Sequence, residues 1–131
     1  MLFRSLVLVP RVTLGEQYAL MIEGSVLVHS KMKKSLRKQA MDAFKAGRIT
    51  KMIATSLADE GLDLPSVENL VMVSGGRSAQ KTIQRASRAL RRAPGKEHAM
   101  IYDFRDLFHP LAQAHAKKRI KCYKELGCHF S

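Results

Sequence analysis

Gln84, Arg88 and Arg91 are the residues of this 131-residue sequence whose type and spacing most clearly indicate chemistry. Their spacing of i, i+4 and i+7 places them together on one face of a helix predicted over residues 78–92, roughly opposite an apolar face. Three more cations lie alongside: Lys81, Arg85 and Arg92. Cations this close repel one another unless anions lie nearby, and a guanidinium group binds phosphate oxygens through paired hydrogen bonds. The helix therefore favours phosphate binding, and a solvated basic face is the alternative.

A second candidate is the acidic, glycine-containing segment 56–65, which follows a predicted strand over residues 51–55. Gly61 lets the backbone approach a ligand closely or adopt a positive φ. The carboxylate of Asp63 can accept hydrogen bonds from sugar hydroxyls. A solvated turn, in which Pro65 blocks extension of the strand, accounts for the same residues equally well.

These segments belong to a pattern of alternating strands and helices. The predicted strands cover residues 6–9, 25–28, 51–55, 70–74 and 99–104, and the predicted helices cover 14–22, 31–46 and 78–92. Alternation with short connections is typical of a parallel sheet covered by helices on both faces. We therefore predict an α/β fold in a domain over residues 1–108. In folds of this kind ligands bind where the strands end at their carboxyl ends.

Residues 109–131 are predicted to form a basic helical extension that begins near Pro110. An apolar stripe contains Ala112, Ala116, Ile120 and Tyr123, and cations fill the rest: Lys117, Lys118, Arg119, Lys121 and Lys124. A narrow stripe of this kind predicts that the helix lies across the domain or docks on something outside the chain.

The chain carries 23 Lys and Arg against 11 Asp and Glu, a formal net charge of +12. An excess of this size favours a polyanionic partner, most often a nucleic acid, because each neutralised phosphate releases counterions. No apolar run approaches the ~20 residues of a membrane span, so we expect no membrane partner. The apolar run 6–9 is too short for a signal peptide.

The two cysteines and five histidines indicate neither a disulfide framework nor a metal site. Cys122 and Cys128 form a lone pair that cannot hold zinc without further ligands, and the histidines lack metal-ligand spacing. We expect reduced thiols, no metal, and a location in the cytoplasm of a bacterial or phage-infected cell or at the nucleoid.

Two linked segments carry a family resemblance. The sequence ATSLADEGLDLP (54–65) resembles motif V of superfamily 2 helicases, and QRASRALR (84–91) resembles their motif VI, Q-x-x-G-R-x-x-R. Residues 6–11 resemble motif IV, and residues 29–47 resemble the motif IVa region. The resemblance covers about residues 4–105. It implies the second, C-terminal RecA-like domain of such a helicase, a three-layer sandwich with a mainly parallel sheet.

The resemblance also implies roles. Arg88 and Arg91 would be arginine fingers that reach the γ-phosphate of ATP on a partner domain, and Gln84 would orient the phosphate or the attacking water. Gly61 and Asp63 would contact the ribose side of the nucleotide. The residues expected near the nucleic-acid backbone are Pro10, Arg11, Thr55, Gly75, Gly76 and Arg77. Ser87 stands where motif VI has glycine, which affects the fine geometry of the fingers and removes neither arginine.

The sequence contains no phosphate loop of the form G-x-x-x-x-G-K-[ST], since residues 94–97 lack its first glycine and its hydroxyl residue. ATP and Mg2+ are therefore expected on an N-terminal RecA-like domain elsewhere in a larger helicase. Residues 75–77 and 115–123 look closer to DNA repair, recombination and branch-migrating helicases than to RNA helicases. The function predicted is the C-terminal motor domain of an ATP-dependent DNA helicase or translocase, and the alternative is a non-catalytic nucleic-acid-binding module or an RNA helicase domain.

Overall fold

Five parallel strands form the centre of the protein in a computed structural model, which describes residues 4–55, 67–73, 83, 100–104, 109–128 and 130. The strands are β1 (Ser5–Leu8), β2 (Val26–Val28), β3 (Lys51–Ala54), β4 (Asn69–Met72) and β5 (Met100–Asp103). The helices are α1 (Val12–Met21), α2 (Lys34–Lys45) and α3 (Pro110–Glu125). The sheet order is β2-β3-β1-β4-β5, and every neighbouring pair is parallel. The predicted α/β fold is confirmed.

The main core lies on one face of this sheet. The register aligns Leu6 of β1 with Met52 of β3 and Leu70 of β4, and all three side chains are fully buried. Phe44 of α2 packs against them. Ile83, which the sequence places on the apolar face of the 78–92 segment, also belongs to this core and is 1% exposed. The strands are nearly continuous apolar runs because both faces of the sheet carry helices.

Helix α1 lies against the opposite face at a distance that only a small residue allows. A Cβ atom added to Gly15 would lie 2.7 Å from Cδ1 of Leu27 and 3.3 Å from Cγ2 of Val9. Gly15 is therefore a packing residue, whereas Gly47 has a conformational role. Gly47 has φ +85° directly after α2, which is the left-handed conformation that commonly ends a helix. The helix predicted over residues 31–46 thus ends within one residue of the predicted position.

Helix α3 packs into the main core through Cys122 and Tyr123. Its buried residues also include Arg119, which is 6% exposed although the sequence pattern grouped it with the surface cations. The described part of the extension therefore lies across the domain, and the boundary at residue 108 stays a prediction. Among the described helices, none has the length and hydropathy that a transmembrane segment requires.

Candidate functional site

The carboxyl ends of all five strands lie at one level. Leu8, the last residue of β1, is in register with Ala54 of β3 and Met72 of β4, and Ala54 and Met72 pair in turn with the last residues of β2 and β5. The backbone N–H of Val9 donates to Ala54 at 2.9 Å, which extends the ladder one residue further. The segments that follow the strands therefore start along one edge, and this carboxyl edge is where open α/β sheets bind ligands.

Three of the predicted backbone-contacting residues follow neighbouring strands at the centre of this edge: Thr55, Pro10 and Arg11. Thr55 follows β3, Pro10 and Arg11 follow β1, and the two strands are neighbours. Thr55 is half-buried, whereas Pro10 and Arg11 are exposed. Arg11 is the N-cap of α1, yet its side chain makes no capping hydrogen bond. Within the described residues its guanidinium forms no ion pair, so this edge carries an exposed cation as well as a hydroxyl.

A basic turn extends the edge beyond β3 to β2. The backbone N–H of Lys31 donates to Nδ1 of His29 at 3.2 Å, and the N–H of His29 donates to Sδ of Met32 at 3.4 Å. These bonds fix the turn that precedes α2, around which Lys31, Lys33, Lys34 and Lys38 are all exposed. The first turn of α2 holds no acidic residue. Lysines at the positive end of a helix dipole are unfavourable on their own, so this end of the edge attracts anions.

A polar cluster of Asp103, Arg119 and Tyr123 fixes α3 beside the end of β5. Nε of Arg119 lies 2.9 Å from Oδ2 of Asp103, and the hydroxyl of Tyr123 donates to the same oxygen at 2.7 Å. Nη2 of Arg119 donates to the carbonyl oxygen of Phe104 at 3.0 Å. The cluster was not predicted from the sequence. Its sequence signals are weak: an acidic residue at the end of a strand, and a basic residue on the apolar side of a helix.

A hollow of about 410 Å³ lies between the carboxyl ends of β4 and β5 and the first half of α3. Val73 and Phe104 line it on the strand side, and His115 and Arg119 line it on the helix side. Phe104 is 64% exposed. The carboxyl edge therefore changes character along the sheet, from cationic at β2 and β1 to a mixture of apolar and polar side chains at β5.

The other predicted site residues lie outside the described residues: Gly61, Asp63, Gly75, Gly76, Arg77, Gln84, Arg88 and Arg91. Their roles stay predictions. Across the part of the chain that is described, no three His, Cys, Asp or Glu side chains form a group that could hold a metal ion. Burial raises the pKa of the Cys122 thiol, and the nearby Glu125 carboxylate adds to the effect. That thiol therefore stays protonated near neutral pH and is a poor nucleophile.

The Tyr123 hydroxyl is expected to make stability fall at high pH. Burial, and then the hydrogen bond to Asp103, raise the pKa of Tyr123 far above its ordinary value. The folded state thus holds this proton more tightly than the unfolded state, and the resulting stability is complete below about pH 10 and lost above it. Tyr123→Phe should lower the free energy of unfolding by about 2 kcal/mol at pH 8.

The loss of free energy of unfolding caused by Tyr123→Phe should be smaller at pH 11 than at pH 8. The difference between wild type and Tyr123→Phe should shrink by roughly 1.4 kcal/mol per pH unit above pH 10. Urea unfolding at both pH values measures it, and subtraction of the variant removes the titration of the lysines, which both proteins share. A difference that is constant between pH 8 and pH 11 would contradict the assignment.

The family model described as "Helicase conserved C-terminal domain" matches residues 4–93, which include β1 to β4. The chain belongs to the helicase C-terminal domain family. Helicase 22 of Sulfolobus islandicus filamentous virus is 36% identical over 102 residues, covering 75% of this chain and 18% of the relative. The DNA 3'-5' helicase Rad25 of Halobacterium salinarum is 33% identical over 99 residues, covering 75% of this chain and 16% of the relative.

This helicase domain shares its fold with solved structures of other helicase domains. The C-terminal domain of the DEAD-box protein Dbp5, known from S. cerevisiae, superposes with a TM-score of 0.71 at 16% identity. The superposition covers 97% of this chain and 72% of that one. The resemblance to the second RecA-like domain of superfamily 2 helicases, predicted from motifs V and VI, is confirmed. The helicase domain spans less than a fifth of the length of the first curated relatives that it matches.

Proposed function

We propose that this helicase domain is the second motor domain of an ATP-dependent superfamily 2 DNA helicase or translocase. In this proposal a separate N-terminal RecA-like domain holds ATP and Mg2+ on a phosphate loop. The domain described here supplies cations to the triphosphate and part of the contact with the nucleic-acid backbone. Opening and closing of the cleft between the two domains, driven by hydrolysis, moves them along a strand.

The observation that carries the proposal is that Thr55, Pro10 and Arg11 follow neighbouring strands at the carboxyl edge. A hydroxyl, a turn and an exposed guanidinium are groups that contact phosphates without reading base sequence. The lysines around the start of α2 extend this cationic edge toward β2. This edge supports the proposal of a backbone track, a surface across the carboxyl ends of β2, β3 and β1 that binds the nucleic-acid backbone.

The catalytic part of the proposal rests on the resemblance of residues 54–65 and 84–91 to motifs V and VI. Arg88 and Arg91 are proposed as arginine fingers, which stabilise charge that develops on a transferring phosphoryl group. Gln84 is proposed to orient that group or the attacking water. Gly61 and Asp63 are proposed to contact the ribose and to couple the state of the nucleotide to β3.

Proteins named as DNA helicases and proteins named as RNA helicases both occur among the relatives. We favour DNA because residues 75–77 and 115–123 look closer to DNA repair and recombination helicases. An RNA helicase domain is the second candidate, since an Arabidopsis thaliana relative is named as a DEAD-box RNA helicase.

Binding of the purified chain to labelled oligonucleotides tests the proposal. The chain should bind single-stranded DNA with an affinity that falls steeply between about 50 and 200 mM salt, should bind RNA of the same sequence more weakly, and should not hydrolyse ATP. Arg11→Gln should reduce the slope of log affinity against log salt by about 1. Arg48→Gln removes the same charge from an exposed position after α2 and should change the slope far less.

Three results would contradict parts of the proposal. Rapid ATP hydrolysis by the pure chain contradicts the division of the motor into two domains. Tighter binding to RNA than to DNA replaces the DNA proposal with the RNA one. Equal effects of Arg11→Gln and Arg48→Gln contradict the placement of the backbone track at the carboxyl edge.

A further inference from the structure

We infer that the solvent face of α3 is a second nucleic-acid surface, which binds the backbone of a duplex. Lys117, Lys118, Lys121 and Lys124 are exposed there, and within the described residues none of them forms an ion pair. At 100° per residue they fall within an arc of about 120°, and Lys117 to Lys124 spans roughly 10 Å along the axis. This lysine ridge rests on the proposed function and adds a contact outside the carboxyl edge.

The ridge is held in place from the opposite side of the helix. Arg119 points inward to Asp103, and Tyr123 donates to the same carboxylate. On a helical wheel Arg119 lies about 160° from Lys121 and Lys117. This partly buried cluster therefore fixes the rotation of α3 about its axis, so the four lysines face solvent as a set.

The lysines repel one another when no anion is bound. Lys117 and Lys121 are four residues apart, and Lys121 is three residues from both Lys118 and Lys124. Like charges at these spacings destabilise a helix, and Glu125 is the one acidic side chain over the whole of α3. A bound polyanion removes this repulsion, so binding and the stability of α3 reinforce each other.

The side chains on the solvent face of α3 favour a nucleic-acid duplex over a protein, a membrane surface or a single strand as the partner. Protein interfaces are anchored by apolar and aromatic side chains and are poor in lysine, yet the exposed large apolar residue of α3 is Leu111, at its first turn. Membrane-surface helices insert an apolar face, whereas that face of α3 is buried in the core. Stacking on aromatic side chains adds affinity for single strands, and α3 does not offer it because its aromatic residue, Tyr123, is buried. A duplex presents about six phosphates over 10 Å.

The test compares two triple variants that each lower the formal net charge from +12 to +9. The ridge variant carries Lys117→Gln, Lys121→Gln and Lys124→Gln. The control carries Lys45→Gln, Arg48→Gln and Lys51→Gln, which are exposed residues between the end of α2 and the start of β3. Circular dichroism and thermal unfolding of both establish that they fold as the wild type does.

Binding to a labelled DNA duplex and to its single strand is then measured against salt. The ridge variant should bind the duplex at least tenfold more weakly at low salt, with a salt slope reduced by about 1 per lysine. Its affinity for the single strand should fall less. Replacement of the same three lysines by arginine should keep duplex binding near the wild-type value, because the charge is retained.

Failure of this inference and failure of the proposed function give different results. Equal losses in the ridge and control variants show a diffuse charge effect and overturn the inference, as does a ridge variant that binds the duplex like the wild type. Tighter, lysine-dependent binding to anionic phospholipid vesicles than to DNA overturns it in favour of a membrane surface. A wild-type chain that binds neither nucleic acid at low salt overturns the proposed function itself.

Discussion

Replacing Arg88 or Arg91 by lysine is expected to lower ATP turnover about a thousandfold or more when this domain works beside the domain that holds the nucleotide. Lysine keeps the positive charge and loses the planar fork of donors that grips two phosphate oxygens at once. The loss should appear in kcat, because the finger acts on charge that develops in the transition state. Affinity for DNA should change little, since the net charge is unchanged.

Arg85→Lys and Arg92→Lys are the matched controls. Both make the same chemical change within the same predicted helix, at positions that the motif VI resemblance does not assign to the phosphate. Single-turnover hydrolysis with DNA present measures the chemical step, and oligonucleotide binding measures the contact with nucleic acid. Turnover in Arg88→Lys or Arg91→Lys within tenfold of the wild type would eliminate the fingers and leave the alternative of a non-catalytic binding module.

The strands were predictable because each is a short apolar run with both faces covered. The prediction of 51–55 and the observed strand Lys51–Ala54 differ by one residue, and β1 is shifted by one residue from its prediction. Strand β4 starts one residue before the predicted 70–74 and ends two residues earlier. Helix α2 followed from Met32, Leu36, Ala40 and Phe44 at intervals of four. That interval drifts around a helix of 3.6 residues per turn, so Phe44 is buried while Leu36 is 50% exposed.

The contacts that position the site could not be predicted, because they join residues far apart in the chain. Arg119 bonds Asp103 across sixteen positions, and periodicity within α3 cannot distinguish an arginine that meets a carboxylate from one in water. The strand order, which puts Thr55 beside Arg11, is likewise a property of topology. Resemblance to motifs IV and V supplied what hydrophobic periodicity could not, the expectation that these two loops act together.

Removing the guanidinium of Arg119 is expected to lower the free energy of unfolding substantially. The Arg119 side chain is 8% exposed and that of Asp103 is 20% exposed. Arg119→Met keeps much of the volume and leaves the Asp103 carboxylate without its cation. Breaking this partly buried ion pair from one side, together with the hydrogen bonds of the guanidinium, costs about 2–3 kcal/mol. The midpoint of urea unfolding should therefore fall sharply, whereas Arg48→Met, at an exposed position, should barely move it.

Adding Asp103→Asn to Arg119→Met should restore part of the loss. The asparagine oxygen can still accept the hydrogen bond from the hydroxyl of Tyr123, and no carboxylate is left without its cation. The double variant should therefore be more stable than the sum of the two single changes predicts. Strictly additive effects would mean that Arg119 and Asp103 act independently, which contradicts the 2.9 Å ion pair. Arg119→Met by itself also tests the lysine ridge: if the cluster fixes the rotation of α3, this single variant should weaken duplex binding at temperatures where the domain is still folded.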